Sequence, residues 1–166
     1  MILGMSTATF TLVHVLLSLV GIGSGLIVLF GMLTGKRLDG WTALFLVTTV
    51  LTSLTGFAFP FTHLLPSHKV GIISIVVLAI AIFARYIFHL TGPWRWIYVV
   101  TAVIALYLNT FVAVFQSFLK IPALKAAAPT QSEPPFLVAQ TIVLLLFVVM
   151  GFFATRKFHG QQVRTA

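Results

Sequence analysis

Residues 48–70, TTVLTSLTGFAFPFTHLLPSHKV, form an apolar segment with a polar stripe that ends in two histidines. In a helix, its small and polar residues return to one face every three or four positions, which predicts that this face contacts protein rather than lipid. The stripe consists of Thr49, Thr52, Gly56, Pro60 and His63. Because proline removes a backbone donor, Pro60 limits the helix, and His63 and His68 bracket the hairpin that follows.

The composition identifies the chain as an integral membrane protein. Of its 166 residues, 60% are hydrophobic and 7% are charged, which leaves too little polar surface for a soluble domain. The net charge of +8 comes from basic residues in short loops, which set membrane orientation and do not indicate nucleic-acid binding. The absence of cysteine excludes thiolate-ligated clusters and leaves histidine, carboxylate and neutral polar groups as ligands.

Apolar runs long enough to cross about 30 Å of hydrocarbon predict five membrane-spanning helices in a single all-α domain, residues 1–166. They lie at about residues 9–33, 41–63, 70–90, 94–119 and 136–155, with an outer loop at 120–135. Most basic residues and the tryptophans then fall on the side of the C-terminus, which predicts the N-terminus outside and the C-terminus inside. The first run is expected to be retained, because it is longer than a signal peptide's apolar region.

Each of the first four spans carries a small or polar stripe, which predicts a four-helix bundle with a common interior and a more peripheral fifth helix. In the first span, Gly21 and Gly25 permit close helix packing, either within the chain or between copies. The other stripe residues are His14 and Ser18 in the first span, Gly71, Ser74, Leu78, Ala81, Arg85 and His89 in the third, and Tyr98, Ala102, Ala105, Asn109, Ala113 and Gln116 in the fourth.

Polar residues in the outer half of the predicted bundle form the main candidate site. Their depths, at about 1.5 Å of helical rise per residue, bring them toward one region. The candidate cofactor-binding residues are His14, His63, His68, Asn109, Gln116 and Gln140. One interpretation is haem b ligated by His14 with His63 or His68. Another is a quinone that forms hydrogen bonds with His14 and with Gln116 or Gln140.

Two other chemistries remain open for this region. A divalent metal ion is the first, bound by His14, His63 and His68 with or without Glu133. The second is a proton or solute path that uses His14 and Asn109. Alternatively, none of the three histidines binds a ligand. His63 and His68 would then be ordinary residues of the membrane interface, and His14 would form a hydrogen bond with a backbone carbonyl.

At the inner side, Arg85 and His89 are predicted to share a helix face, with Arg95 close by, as a site for an anionic lipid or ligand. The competing interpretation, favoured by the sequence, is that Arg85 extends to the interface as an anchor. Asp39 is expected to cap the second span.

The outer loop, residues 120–135, is predicted to cap the outer mouth of the bundle, because it has an apolar side and a proline-rich end. Glu133 would then pair with a histidine of the candidate site or with Lys69. The chain has no H-E-x-x-H, G-x-S-x-G or glycine-rich phosphate motif, so hydrolysis and phosphoryl transfer are not expected.

The segments LTSLTGFAFPF, ARYIFHLTGPWRWIYVV, ALYLN and PTQSEPPF resemble a group of small, uncharacterised polytopic inner-membrane proteins of proteobacteria. The resemblance implies a bacterial inner-membrane location and transfers no activity. The expected function is binding of a lipophilic redox cofactor or ligand, haem b or quinone, and the sequence leaves open whether the protein is an enzyme. The alternatives are an accessory subunit of a membrane complex or a small transporter. Besides the bilayer, the expected partners are further copies of the chain or a larger complex.

Overall fold

A computed structural model of the protein describes residues 2, 4–60 and 66–159, and these fold into six α-helices. The helices are α1 (Thr7–Leu33), α2 (Asp39–Gly56), α3 (Pro66–Ile82), α4 (Trp94–Lys120), α5 (Pro122–Ala127) and α6 (Pro134–Lys157). A π-helical segment, Phe83–Ile87, continues α3. The predicted all-helical class is therefore confirmed for the described chain.

Four of the described helices are long and apolar enough to cross a membrane, which is the pattern of a multi-pass membrane protein. They are Thr7–Leu33, His68–Ile87, Trp94–Lys120 and Pro134–Lys157. Helix α2, with 18 residues, is not among the four in the part of the chain that the structure describes. Its five threonines, Ser53 and Asp39 lower its hydropathy, so five spans do not follow from helix length and composition.

The first four long helices form a ring in chain order. Helix α1 packs against α2, α2 against α3, α3 against α4, and α4 back against α1. Between them lies an apolar core that includes Phe45, Leu78, Tyr98 and Leu106. Helix α6 packs from outside against α4 and α1 and buries only a few side chains. The ring leaves room for a site between the helices, and α6 lies away from it.

The glycine pair of α1 serves packing within the chain. A Cβ atom added at Gly25 would lie 2.5 Å from Leu106 Cδ1 and 2.8 Å from Phe45 Cδ2. Added at Gly21, it would lie 3.0 Å from Thr49 Oγ1. Because only hydrogen fits at these positions, α1 can approach both α2 and α4 closely.

Helix α2 ends earlier than the sequence predicts. Its last residue is Gly56, and the backbone N–H groups of Phe57 and Ala58 bond to Leu54 and Thr55 carbonyls in a turn. In a continued helix, the carbonyl of Gly56 would need the N–H that Pro60 lacks, so the proline stops the helix four residues before itself. The predicted extension to position 63, together with His63, lies outside the described residues.

Candidate functional site

A cavity of about 520 Å³ lies among α1, α2, α3 and α4, at the end of the ring where α1 begins and α2 ends. This volume is within the range of small-molecule sites, about 300–1,000 Å³. Four of the candidate cofactor-binding residues line it: His14, His68, Asn109 and Gln116. The second-span stripe residues Thr49, Thr52, Gly56 and Pro60 also line it. Polar groups of four helices thus surround one space.

His14 is held in a defined orientation by α2. Its Nδ1 atom lies 2.8 Å from Thr55 Oγ1, and that hydroxyl donates its single proton to the Leu51 carbonyl at 2.7 Å. The hydroxyl must therefore accept from Nδ1–H, which assigns the neutral tautomer of His14 with a lone pair on Nε2. The Phe59 ring contacts the imidazole edge to face at 5.2 Å. A side-chain hydroxyl, rather than a backbone carbonyl, is thus the partner of His14.

His68 lies opposite, in the first turns of α3. Its side chain is buried, and its ring centroid lies 5.6 Å from that of Phe57. Phe57 also contacts α3 at Gly71, where an added Cβ would lie 3.1 Å from the ring. The end of α2 and the start of α3 are therefore closely packed beside the cavity, and His14 and His68 reach it from different helices.

Asn109 forms the floor of the cavity together with Ser18. The Ser18 hydroxyl donates a hydrogen bond of 2.8 Å to Asn109 Oδ1, and Asn109 Nδ2 donates to the Ser18 carbonyl at 3.4 Å. Below this pair, the void beside Gly25 and Leu106 measures only about 10 Å³ and is lined by apolar residues. This void holds at most about one water molecule, so the space beside Gly25 does not extend the cavity toward the inner side.

Gln140 lies on the other side of α4 and does not line the cavity. Its Nε2 atom donates a hydrogen bond of 3.1 Å to the Phe111 carbonyl, which joins α6 to α4. The sequence predicts similar membrane depths for Gln140 and Gln116. Depth alone, however, does not determine which face of the neighbouring helix a side chain contacts. Gln116, on the inner face of α4, does line the cavity.

The electrostatics of the cavity favour a neutral or anionic ligand. Asp39 and Glu133 are the only acidic residues of the chain, and neither lines the cavity. Lys120, exposed at the end of α4, lies at its rim. Within residues 4–60 and 66–159, no group of three His, Asp or Glu side chains is placed to hold a metal ion. The histidine triad proposed from the sequence includes His63, outside these ranges.

The Glu133 carboxylate forms hydrogen bonds within its own loop and, among the described residues, no ion pair with Lys69; His63, one of its predicted partners, lies outside them. Its carboxylate accepts hydrogen bonds from the hydroxyl and backbone N–H of Thr130 and from the N–H of Ser132. Desolvation raises the pKa of Glu133, but these hydrogen bonds together lower it below its ordinary value.

The outer loop does not cap the mouth of the ring. Helix α5 packs against α4, and Ala128 is buried with Phe118 and Phe136, so the loop lies on the α4 and α6 side. The apolar side of the loop was correctly expected to need cover. The aromatic residues of α4 and α6 cover the part around Ala128, while Lys120 and Ile121, at the start of the loop, line the cavity.

The inner-side residues also differ from the predictions. Arg85 does not extend to the interface: its side chain is 2% exposed, its guanidinium forms an ion pair with Asp39, and it lies 5.1 Å from the centre of the Tyr98 ring. Asp39 is the first residue of α2 and makes no capping hydrogen bond. The π-helical segment and the positive φ of 49° at His89 break the regular spacing, so His89 is exposed.

Arg95 has a structural partner as well. Its guanidinium donates to the backbone carbonyl of Phe158, which fastens the start of α4 to the residue after α6. Both arginines of the predicted anion site therefore bind protein groups, and His89 is exposed.

Thr55 and Lys120 were not singled out from the sequence as site residues. Lys120 follows Gln116 by four positions, so extension of the fourth-span stripe would have found it. Thr55 lies beside the second-span stripe, and only the packing of α1 on α2 shows that it orients His14. The chain matches no protein-family model, and no curated protein or solved structure is significantly similar to it.

Proposed function

We propose that this protein binds a quinone or quinol in the cavity among α1 to α4, in a bacterial inner membrane. The observation that carries the proposal is the fixed tautomer of His14, because the bond from Nδ1–H to Thr55 leaves the Nε2 lone pair for a ligand hydroxyl. Gln116, which also lines the cavity, offers both a donor and an acceptor. A quinol and a quinone present the matching hydroxyl and carbonyl groups.

The surroundings of His14 agree with a ligand of this kind. The cavity combines these few polar groups with apolar walls, including Val15, Leu19 and Leu108. It contains no carboxylate, so a cationic ligand would lack a counter-charge. A lipophilic molecule with one oxygen-bearing ring requires no charge compensation and can reach such a site from the bilayer.

The test is binding of a quinone to the purified protein and to two histidine variants. We expect ubiquinone-type quinone in the lipid extract of the wild-type protein, and about tenfold weaker binding for His14→Ala, the equivalent of one lost hydrogen bond of about 1.4 kcal/mol. His159→Ala is the matched control, because His159 is exposed, does not line the cavity and forms a hydrogen bond with the Lys157 carbonyl. Absence of quinone from the extract, together with no binding by the wild type, would overturn the proposal.

The second candidate is haem b. It is favoured by one observation, the presence of His14 and His68, from different helices, on the same cavity. Two imidazoles are a common ligand set for haem iron. Protein expressed with a supply of haem would show a Soret band that is lost in His14→Ala and in His68→Ala. A colourless preparation under these conditions would eliminate this version.

For topology, we propose that α2 is a fifth span and that the N-terminus lies outside. Eighteen residues extend about 27 Å, close to the hydrocarbon thickness. Helix α2 packs between α1 and α3, and its polar threonines Thr42, Thr48 and Thr49 are buried against the ring. The basic residues Lys36, Arg37, Arg95 and Lys157 then lie inside. A reporter that is active only in the periplasm should be inactive when it is fused to the C-terminus. Activity of this fusion would refute the proposal that the N-terminus is outside and the C-terminus inside.

A non-catalytic subunit of a larger membrane complex is the rival from another class. The Gly21 and Gly25 contacts lie within the chain, so they give no reason to expect a homodimer through α1. Purification in a mild detergent distinguishes these cases. A subunit of a larger complex would co-purify with other proteins. A quinone-binding protein that functions alone would bind quinone when its native mass corresponds to copies of this chain only.

A further inference from the structure

The wall of the cavity is incomplete between α1 and the end of α4. Val15 and Leu19 of α1 and Ile121, directly after α4, all line the cavity, yet they are 39%, 56% and 47% exposed. A side chain that both borders an internal space and faces the outside marks an opening. All three side chains are apolar, so the opening suits hydrocarbon rather than water.

Two other seams of the ring, between α1 and α2 and between α2 and α3, are bridged by side chains beside the cavity. Between α1 and α2, His14 bonds Thr55 and the rings of Phe10 and Phe59 meet at 5.1 Å. Between α2 and α3, the ring of Phe57 packs on His68 and Gly71, as described above.

Deeper in the bundle, α1 and α4 are joined by the hydrogen bond from Ser18 to Asn109. The opening is therefore a window above this bond, bordered on one side by Val15 and Leu19.

We propose that the ligand is a tailed amphiphile that enters sideways from the bilayer, with its oxygen-bearing ring near His14 and Gln116 and its hydrocarbon tail leaving between α1 and α4. This inference rests on the proposed quinone binding, and it adds the path by which the ligand enters and the position of its hydrocarbon tail. A tail that lies along Val15 and Leu19 stays in an apolar environment throughout, so binding costs no transfer of hydrocarbon into water. Lys120, at the rim, lies beside the ring end of such a ligand.

The experiment measures dissociation constants in lipid nanodiscs for two probes. One is 2,3-dimethoxy-5-methyl-1,4-benzoquinone, which has the ring alone, and the other is its derivative with a ten-carbon tail. Val15→Trp fills the window, whereas Leu16→Trp is the matched control, because Leu16 is exposed on another side of α1 and does not line the cavity. Ile121→Trp repeats the test from the α4 side.

We expect the tailed probe to bind wild type at least tenfold more tightly than the ring alone. This advantage, the ratio of the two dissociation constants in one protein, should fall at least fivefold in Val15→Trp and in Ile121→Trp and persist in Leu16→Trp. The comparison with Leu16→Trp removes the contribution of simple partitioning into lipid, which is the same for each variant.

The outcomes separate the two claims. If neither probe binds the wild type, the proposed function fails, and this inference fails with it. If both probes bind but Val15→Trp and Leu16→Trp give the same tail advantage, only the sideways route is overturned. Equal loss of both probes in the two window variants also overturns it, because the tail would then have no path separate from the ring.

Discussion

The exposed carboxylate of Asp39 is the ion-pair partner of the buried guanidinium of Arg85. The acid lies at the first position of α2, and the arginine lies 46 residues later in the π-helical segment, with side-chain exposures of 67% and 2%. Arg37 contacts the same carboxylate at 2.8 Å. A cation that has lost most of its hydration needs such a partner, so this pair ties the start of α2 to the end of α3.

Replacement of Asp39 by asparagine should lower the free energy of unfolding by about 1–3 kcal/mol, since the Arg85 cation loses its counter-charge. This loss of stability should be smaller than that from breaking a fully buried ion pair, about 3–5 kcal/mol, because water reaches Asp39. Arg37→Gln is the control and should cost about 0–1 kcal/mol, as exposed pairs do. Unfolding of the three proteins in mixed micelles measures the difference, and equal stability of both variants would contradict the role given to Asp39.

Substitution of Gly25 by alanine should destabilise the protein by about 1–3 kcal/mol, the usual range for overpacking. The added methyl group would overlap Leu106 and Phe45. Gly23→Ala is a matched control on the same helix, where an added Cβ meets nothing within 4 Å, so it should be neutral or stabilising by up to about 1 kcal/mol. Thermal unfolding in detergent distinguishes the two. The native mass should be unchanged in both, and a smaller oligomer in Gly25→Ala would show that the glycine packs between copies.

Thr55→Val should weaken quinone binding about three- to tenfold without preventing folding. The variant keeps the shape of the side chain but removes the acceptor of the Nδ1 proton, so His14 no longer has one fixed tautomer. Thr101→Val is the comparison, because Thr101 bonds only carbonyls of its own helix and does not line the cavity. Titration calorimetry with the tailed quinone gives both constants. Identical constants would mean that Thr55 does not orient His14.

The turn before α6 should loosen at acidic pH. Hydrogen bonds from Thr130 and Ser132 lower the pKa of Glu133 in the folded protein, so their stabilising effect is present above the ordinary carboxyl pKa and is lost as the pH falls through the lowered value. Hydrogen exchange at the Thr130 and Ser132 amides measures this. Protection relative to Glu133→Ala should be present at pH 6 and disappear at strongly acidic pH, and a constant ratio would refute the assignment.

Much of the helical organisation is determined by the sequence itself. Apolar length identifies membrane helices because about 20 residues must shield their backbone from hydrocarbon, and the predicted positions of α1, α4 and α6 agree with the described helices within a few residues. The polar stripes of α1, α2 and α4 are likewise readable, since helical spacing alone places Ser18, Thr52 and Gln116 on faces that avoid lipid.

Which polar side chains contact each other depends on the tertiary structure. Gln116 and Gln140 have similar predicted depths, yet one lines the cavity and the other bonds the outside of α4, because helix rotation depends on packing. Arg85 lies in a π-helical segment and pairs with Asp39, 46 residues earlier, and no local sequence pattern indicates either the segment or the pair. Composition and spacing determine which faces must be hidden from lipid, whereas the pairing of those faces depends on contacts between residues far apart in the chain.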